Sequence, residues 1–147
     1  MSYTIDAASP GDATAILRLL SDNKLPLDGV TDCLTSAFVA RDGDRVVGVA
    51  ALEIYPDGGL LRSVAVDACA RGQGLGRRLT SAALDLAGTL ELPAVYLLTT
   101  TAERFFPTCG FIEISRAEVP PGVQQSIEFR SACPSTAIVM RTTVHAR

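Results

Sequence analysis

The sequence predicts an α/β (α+β) domain: a mixed, mostly antiparallel sheet of about seven strands with about four helices on its two faces. Three observations carry that expectation. Short strand-like and helix-like stretches follow in the order β-α-α-β-β-β-α-β-α-β-β. Three of the strands are joined by tight turns, as in an antiparallel meander. A later strand is apolar on both faces, which suits a central position under helices. The 147 residues, 48% of them hydrophobic, suffice for one core, and residues 1–147 read as a single domain.

Ile5 opens the first short strand. Ser9-Pro10-Gly11-Asp12 is a helix start, with a serine cap, a proline in the first turn and an aspartate three residues after the cap. Ala13, Ile16, Leu17 and Leu20 follow at helical spacing. Pro26 and Gly29 separate this helix from a second short one at Thr31–Ser36. Phe38–Arg41 and Arg45–Tyr55 are strands linked by Asp42-Gly43-Asp44. Pro56-Asp57-Gly58-Gly59 turns the chain into a third strand, Leu60–Val66. Gly74–Gly88 places Leu75, Leu79, Ala82, Ala83 and Leu86 on one helical face. Ala94–Thr99 is the central strand, Ala102–Phe106 a short helix, and Phe111–Arg116 and Ala137–Thr142 the last strands.

Several function classes are disfavoured. Net charge is -3 and no lysine/arginine block stands out, so no nucleic-acid partner is expected. No apolar stretch approaches the roughly 18–20 residues that span a bilayer, so no membrane partner is expected either. Met1-Ser2-Tyr3-Thr4-Ile5-Asp6 has neither the basic start nor the apolar run of an export signal, which points to a cytoplasmic setting. Cys33, Cys69, Cys109 and Cys133 form no C-x-x-C pair, and His145 is the one histidine. A metal site is therefore not expected, and the cysteines read as reduced, small hydrophobes. His145 reads as tail rather than general base.

The strongest signal is Leu60–Arg78, a strand that enters a glycine-rich loop and then a helix. Gly72, Gly74 and Gly76 leave the backbone bare, so an anion can approach its amides. The helix start adds free N–H groups and a positive dipole end. Arg71, Arg77 and Arg78 crowd the same end, where a cation is disfavoured by roughly 0.3–1 kcal/mol. A bound polyphosphate reverses that sign. The loop ends Gly-Arg-Arg, not Gly-Lys-Ser/Thr, so it is no Walker loop. Arg77 stands where a dinucleotide loop needs its last glycine, and the preceding strand lies in a meander, not a βαβ unit.

Arg71-Gly72-Gln73-Gly74-Leu75-Gly76 resembles the R/Q-x-x-G-x-G/A signature of the GNAT acetyltransferases. Phe105-Phe106-Pro107-Thr108-Cys109-Gly110-Phe111 is similar to that family's F-Y-x-x-x-G-F segment. Leu61–Val66, Tyr96–Thr101, Arg116–Pro120 and Glu128-Phe129…Cys133-Pro134-Ser135 further resemble the acetyltransferases of bacterial arsenic-resistance operons. The resemblance implies a GNAT fold with strands splayed apart at an acetyl-CoA site, acetyl-CoA as cosubstrate and no metal. It implies that Arg71 and Gly72, with the amides of Gln73, Gly74, Gly76 and Arg77, hold the pyrophosphate. The main chain of Val64 and Val66 would meet the pantetheine arm. A homodimer is left open.

Acetyl transfer to an amine needs a proton acceptor, a polarised thioester carbonyl and a tolerated leaving thiolate. Glu53 is the first candidate base, a charge within a run otherwise apolar on both faces. Period-two alternation puts it beside Val49, Ala51 and Tyr55. A structural pair with Arg62, or exposure at the strand end, is the alternative. Arg62 stands where many family members carry glutamate. It either holds a substrate carboxylate bidentately or pairs internally with Glu53. Phe106 occupies the position of the family's acid tyrosine and cannot donate a proton, which leaves water or the hydroxyls of Thr99, Thr100 or Tyr96.

The stretch of about twenty residues between Arg116 and Ala137 is long for a compact domain. It either closes over the acceptor, bringing Glu128 or Arg130 to it, or forms a surface excursion or dimer contact. Gln125–Arg130 is a candidate short helix within it. Tyr55, Thr99 and Glu128 join Arg62 as candidate substrate contacts. The expected partner is a small amine carrying a carboxylate, such as an amino acid or a glutamate-like phosphinate or arsenical. A protein or peptide amine, and a non-catalytic acyl-CoA sensor, remain the rival readings.

Overall fold

The computed structural model describes residues 2–132 and 135–144. Seven strands form one sheet: β1 (Thr4–Ala7), β2 (Ala37–Asp42), β3 (Arg45–Tyr55), β4 (Gly58–Val66), β5 (Ala94–Thr99), β6 (Ile112–Ile114) and β7 (Ile138–Thr143). Their order is β1-β2-β3-β4-β5-β7-β6. Every neighbouring pair is antiparallel except β4 and β5. The sheet is thus mixed and mostly antiparallel, as the order of elements predicts. No helix among the described residues is long and apolar enough to cross a membrane.

Helix α1 (Ala13–Asp22) covers one face of β2–β4, and α2 (Leu75–Thr89) covers the other. On the α2 side Leu75, Leu79 and Ala83 pack on Ala50, Leu52 and Leu61, with Phe106, Phe111 and Met140 extending that core. On the α1 side Ile16, Leu20 and Val30 pack on Val39, Val49 and Ala51. A third cluster lies over β4, β5 and β7, where Val119 and Val123 cover Leu60, Tyr96 and Val139. The strict two-residue period of β3 sends Leu52 to one core and Val49 and Ala51 to the other.

All four expected helical stretches form, two as α-helices and two as tight 3-10 turns. Residues 30–36 are one such turn, kinked at Cys33. The other spans Phe106–Cys109, not 102–106. Thr99 Oγ1 accepts a hydrogen bond from the Ala102 amide at 2.9 Å. Proline at 107 then sits in the first turn, where its missing N–H costs nothing. The strand expected over 111–116 shrinks to β6. Phe111 is drawn into the core, edge-on to Phe106 with ring centroids 5.8 Å apart. Ser115 and Glu118 then form a capping box that starts a turn at Arg116. The helix considered over 125–130 appears as a turn at Val123–Gln125 and a π-type stretch at Glu128–Ala132. The Pro56–Gly59 turn is shorter than expected, because Gly58 and Gly59 already belong to β4.

The start of α1 is tied to the sheet. Asp12 Oδ2 accepts from the Ser9 amide at 2.8 Å, and Arg41 on β2 donates to both Asp12 oxygens at 2.9 and 2.8 Å. The Arg41 hydrogen bonds, opposed by burial and reinforced by Ser9, hold the Asp12 carboxyl at about 2, below its usual 3.8. A carboxyl depressed on folding stabilises the fold fully above its unfolded value and loses that contribution as pH falls through the folded one. Replacing Asp12 with alanine is expected to cost about 1–3 kcal/mol at pH 7. In urea denaturation the gap between wild type and variant should narrow as pH falls from 3.8 towards 2.

Candidate active site

At the end of β4 the Asp67 carboxylate accepts from the Cys69 amide at 3.0 Å and turns the chain into the glycine loop. Gly72 and Gly74 have φ of +78° and +77°, a left-handed conformation that a side chain would strain. A Cβ on either would meet nothing within 4 Å, so the loop's outer surface is open. Gly74 caps α2 without a side-chain bond, and no acidic residue stands in the first turn. The helix-start amides are therefore available to an anion. Arg71 donates to Val66 O at 3.2 Å and Asn23 Oδ1 at 2.6 Å. Arg77 donates to Thr108 O at 2.7 Å, and Arg78 to Tyr3 O at 3.4 Å. These partners are all neutral, and none of the three arginines meets a carboxylate among the described residues. Gly76 brings α2 against the Phe105 ring, 3.2 Å from where a Cβ would lie.

Strands β4 and β5 pair only at Gly59↔Val95 and Leu60↔Tyr96. Beyond that point they part. β4 also carries one residue more than β3 between the pairs Val49↔Ala65 and Ala51↔Arg62. This is a bulge at Ser63–Val64, with Ser63 at φ +60°. A bulge releases ladder groups and re-aims side chains. Between the strands lies a cleft of about 480 Å³. Its walls are residues 61–64 and 97–102, with Phe105 and Phe106 behind, and residues 24–26 and Glu128 reach it from the covering segments. Thr99 lines the cleft, as do Thr100 and Val64, whereas Val66 and Tyr96 do not. Phe106 is buried edge-on against Phe105 and Phe111.

The charged groups gather around Arg62, whose side chain is 0% exposed. Its Nη1 donates to Glu53 Oε2 at 2.8 Å and its Nε to Ser63 Oγ at 3.0 Å. Glu128 Oε2 lies 3.4 Å from the same Nε. Tyr55 donates to the other Glu53 oxygen at 2.6 Å. Burial works against the Arg62 charge, but Glu128 and Glu53 outweigh it and raise its pKa above the usual value. Burial, then the bond to Glu53, pushes the Tyr55 hydroxyl up to about 12. Burial likewise pushes the Cys33 thiol up to about 11. A second cavity of about 640 Å³ opens on the far side of Arg62, lined by residues 28–36 in part, Glu53, Ile54, Tyr55 and Ile127.

Arg62 thus divides the cluster. Glu128 faces the cleft, while Glu53 and Tyr55 face the second cavity. Glu53, the candidate base, and Tyr55 line the second cavity rather than the cleft, and the two Glu53 oxygens are bonded to Arg62 and Tyr55. Arg62 lines the cleft, yet it already carries two internal carboxylates where one substrate carboxylate was considered. Arg130 is exposed and Cys109 lies outside the cleft. Cys133 and His145 lie outside the described residues. Among the described residues no three His, Cys, Asp or Glu side chains are grouped to hold a metal. Ser63 and Lys24 were not anticipated as cleft residues. Ser63 had no signal, because a bulge depends on the partner strand's register. Lys24 had a faint one, as the only lysine of the sequence. An R62M variant would take from Glu53 and Glu128 the guanidinium that both meet in the folded protein. It should lose about 3–5 kcal/mol in urea denaturation, and neutralising both glutamates alongside it should restore most of the loss.

Residues 34–113 match the family model described as an acetyltransferase (GNAT) domain, more than half of the chain. An amino-acid acetyltransferase of Mycobacterium tuberculosis is 40% identical over 76 residues, 51% of this chain and 43% of that protein. The match thus spans less than half of that relative's length. A Mycobacterium tuberculosis structure solved in complex with CoA superposes with a TM-score of 0.81 at 27% identity, covering 96% of this chain and 99% of that one. The N-acetylglutamate synthase of Neisseria gonorrhoeae, complexed with coenzyme A and N-acetyl-glutamate, shares the fold with a TM-score of 0.82 at 21% identity. That superposition covers 99% of this chain and 36% of the synthase. With the glycine loop, the parted strands and the family match in agreement, this chain belongs to the GNAT acetyltransferases.

Proposed function

We propose that the chain is an acetyl-CoA-dependent N-acetyltransferase acting on the amine of a small carboxylate-bearing molecule, an amino acid foremost. One observation carries the reading. Phe105, which packs against Gly76 in the first turn of α2, also lines the cleft between β4 and β5, and the buried Glu128 lines the same cleft.

The residues present fit acetyl-CoA. Open space at Gly72 and Gly74 and uncapped amides suit a pyrophosphate, and Arg71, Arg77 and Arg78 supply charge not offset by carboxylates. Gln73, Gly74, Gly76 and Arg77 would hold it by their amides, with Val64 and Val66 beside the pantetheine arm. Bound there, acetyl-CoA supplies the acyl group as a thioester. The chain's own groups manage the protons. Glu128, buried and facing the cleft, takes the proton that the amine gives up as the C–N bond forms and the C–S bond breaks. Thr99 Oγ1 accepts from the Ala102 amide, so its own hydrogen is free to point elsewhere, and it or water returns a proton to the thiolate. Phe106 cannot. Cys33, raised to about 11 and facing the other cavity, is no acyl carrier.

The cover of residues 24–26 and Glu128 over the cleft favours a small acceptor over a protein amine. The amino-acid acetyltransferase named above supports a free amino acid. A glutamate-like phosphinate or arsenical offers the same groups, and the arsenical option rests on sequence resemblance alone. The test is CoA release from acetyl-CoA with amino acids, phosphinothricin, an arsenic-bearing glutamate analogue and a lysine-rich peptide. Release with a free amino acid is expected. E128Q should lower kcat by about 10²–10⁴-fold with the acetyl-CoA KM unchanged, and E53Q by much less. Loss with E53Q but not E128Q would return the base to Glu53. CoA binding without release for any amine would favour an acyl-CoA sensor.

A further inference from the structure

We infer that Lys24 reads the α-carboxylate of the acceptor, with Glu128, which lines the same cleft, reading its amine. This rests on the function proposed above and adds the residue that selects the substrate class. Among the described residues two cations line the cleft, Arg62 and Lys24. Arg62 meets both Glu53 and Glu128, so its charge is already engaged by two carboxylates inside the protein and offers little to a third. Arg62 Nη2, buried and without a hydrogen-bond partner, retains a donor but brings no unbalanced charge.

Lys24 differs on each count. It is exposed, lines the cleft and makes no ion pair among the described residues. Its position is fixed by the way α1 ends. Asn23 Nδ2 donates to Leu19 O at 2.8 Å, and the Lys24 amide donates to Ser21 O at 3.1 Å. Lys24 then takes φ +58°, a left-handed turn that costs a residue with a Cβ about 1 kcal/mol and that glycine would make freely. The turn sends Leu25 and Pro26 along the cleft. Asn23 Oδ1 also accepts from Arg71, which ties this turn to the glycine loop. The Lys24 backbone is therefore held in place, and Lys24 and Glu128 line one cleft with charges complementary to the two ends of an amino acid zwitterion. A peptide amine or a simple alkylamine satisfies only the second.

The experiment compares the standard amino acids with their α-carboxamides, by calorimetric binding to the CoA-loaded protein and by acceptor KM. The variants are K24M, K24R and K24G. K24G keeps the left-handed turn while removing the cation, so it separates charge from backbone geometry. Wild type should bind at least one free acid about tenfold or more tightly than its carboxamide. K24M and K24G should erase that preference and raise the acceptor KM with kcat and CoA affinity little changed, and K24R should keep part of it. Equal binding of acid and amide by wild type, no binding of any free amino acid, or a preference that survives in K24M and K24G overturns the inference. Failure of CoA itself to bind, measured separately, would instead count against the function proposed above.

Discussion

A guanidinium with no solvent exposure stands near the centre of this protein, and much of the site is arranged around its needs. Arg62 sits on β4 where that strand bulges. It is reached by Glu53 from β3 and by Glu128 from the segment between β6 and β7. Removing a charge from water costs several kcal/mol, so the arrangement holds only if its partners are fixed. Fixing them joins three pieces of chain distant in sequence. Gly29 contributes by absence, since a Cβ there would press on Arg62 Nη1 and on Ile127. The same charge also separates the cleft from the second cavity.

The cleft itself comes from backbone geometry. A parallel pair of strands that hydrogen-bonds at two register positions and then separates exposes main-chain groups that an uninterrupted ladder would consume. The bulge at Ser63 widens the effect on the β3 side. Nearby, α2 starts on a left-handed glycine with its first amides uncapped. Phe105 touches the helix start at Gly76 and also lines the cleft, so the two sets of backbone groups share a neighbour. A long ligand with a phosphate head and an amide-bearing arm matches that layout better than a compact one. Phe105 and Phe106 line the cleft, and Phe111 packs edge-on behind Phe106.

Much of this was legible in the residues. The Ser9–Asp12 cap, the face of α1, the meander of β2 to β4, the glycine loop and the alternation along β3 each follow from local rules with a period or a required φ. The misplacements are equally local in cause. Proline at 107 moved a helix start, and the Ser115–Glu118 box ended β6 early. Glu53 stood out as a charge in an apolar strand and meets Arg62, the pairing weighed beside a role as base, while Glu128 lines the cleft.

The sequence by itself determined the element order and the glycine loop before α2, because glycine conformation, helix polarity and strand period are set within a few residues, and the likeness of two motifs pointed to the family. Only the tertiary structure decided which carboxylate faces the cleft, that Arg62 is already neutralised, and that Lys24 stands at the cleft. Those outcomes depend on strand register, on a bulge that exists only relative to its partner strand, and on where a long covering segment comes to rest. Each is fixed by packing between residues far apart in the chain, and no local pattern encodes it.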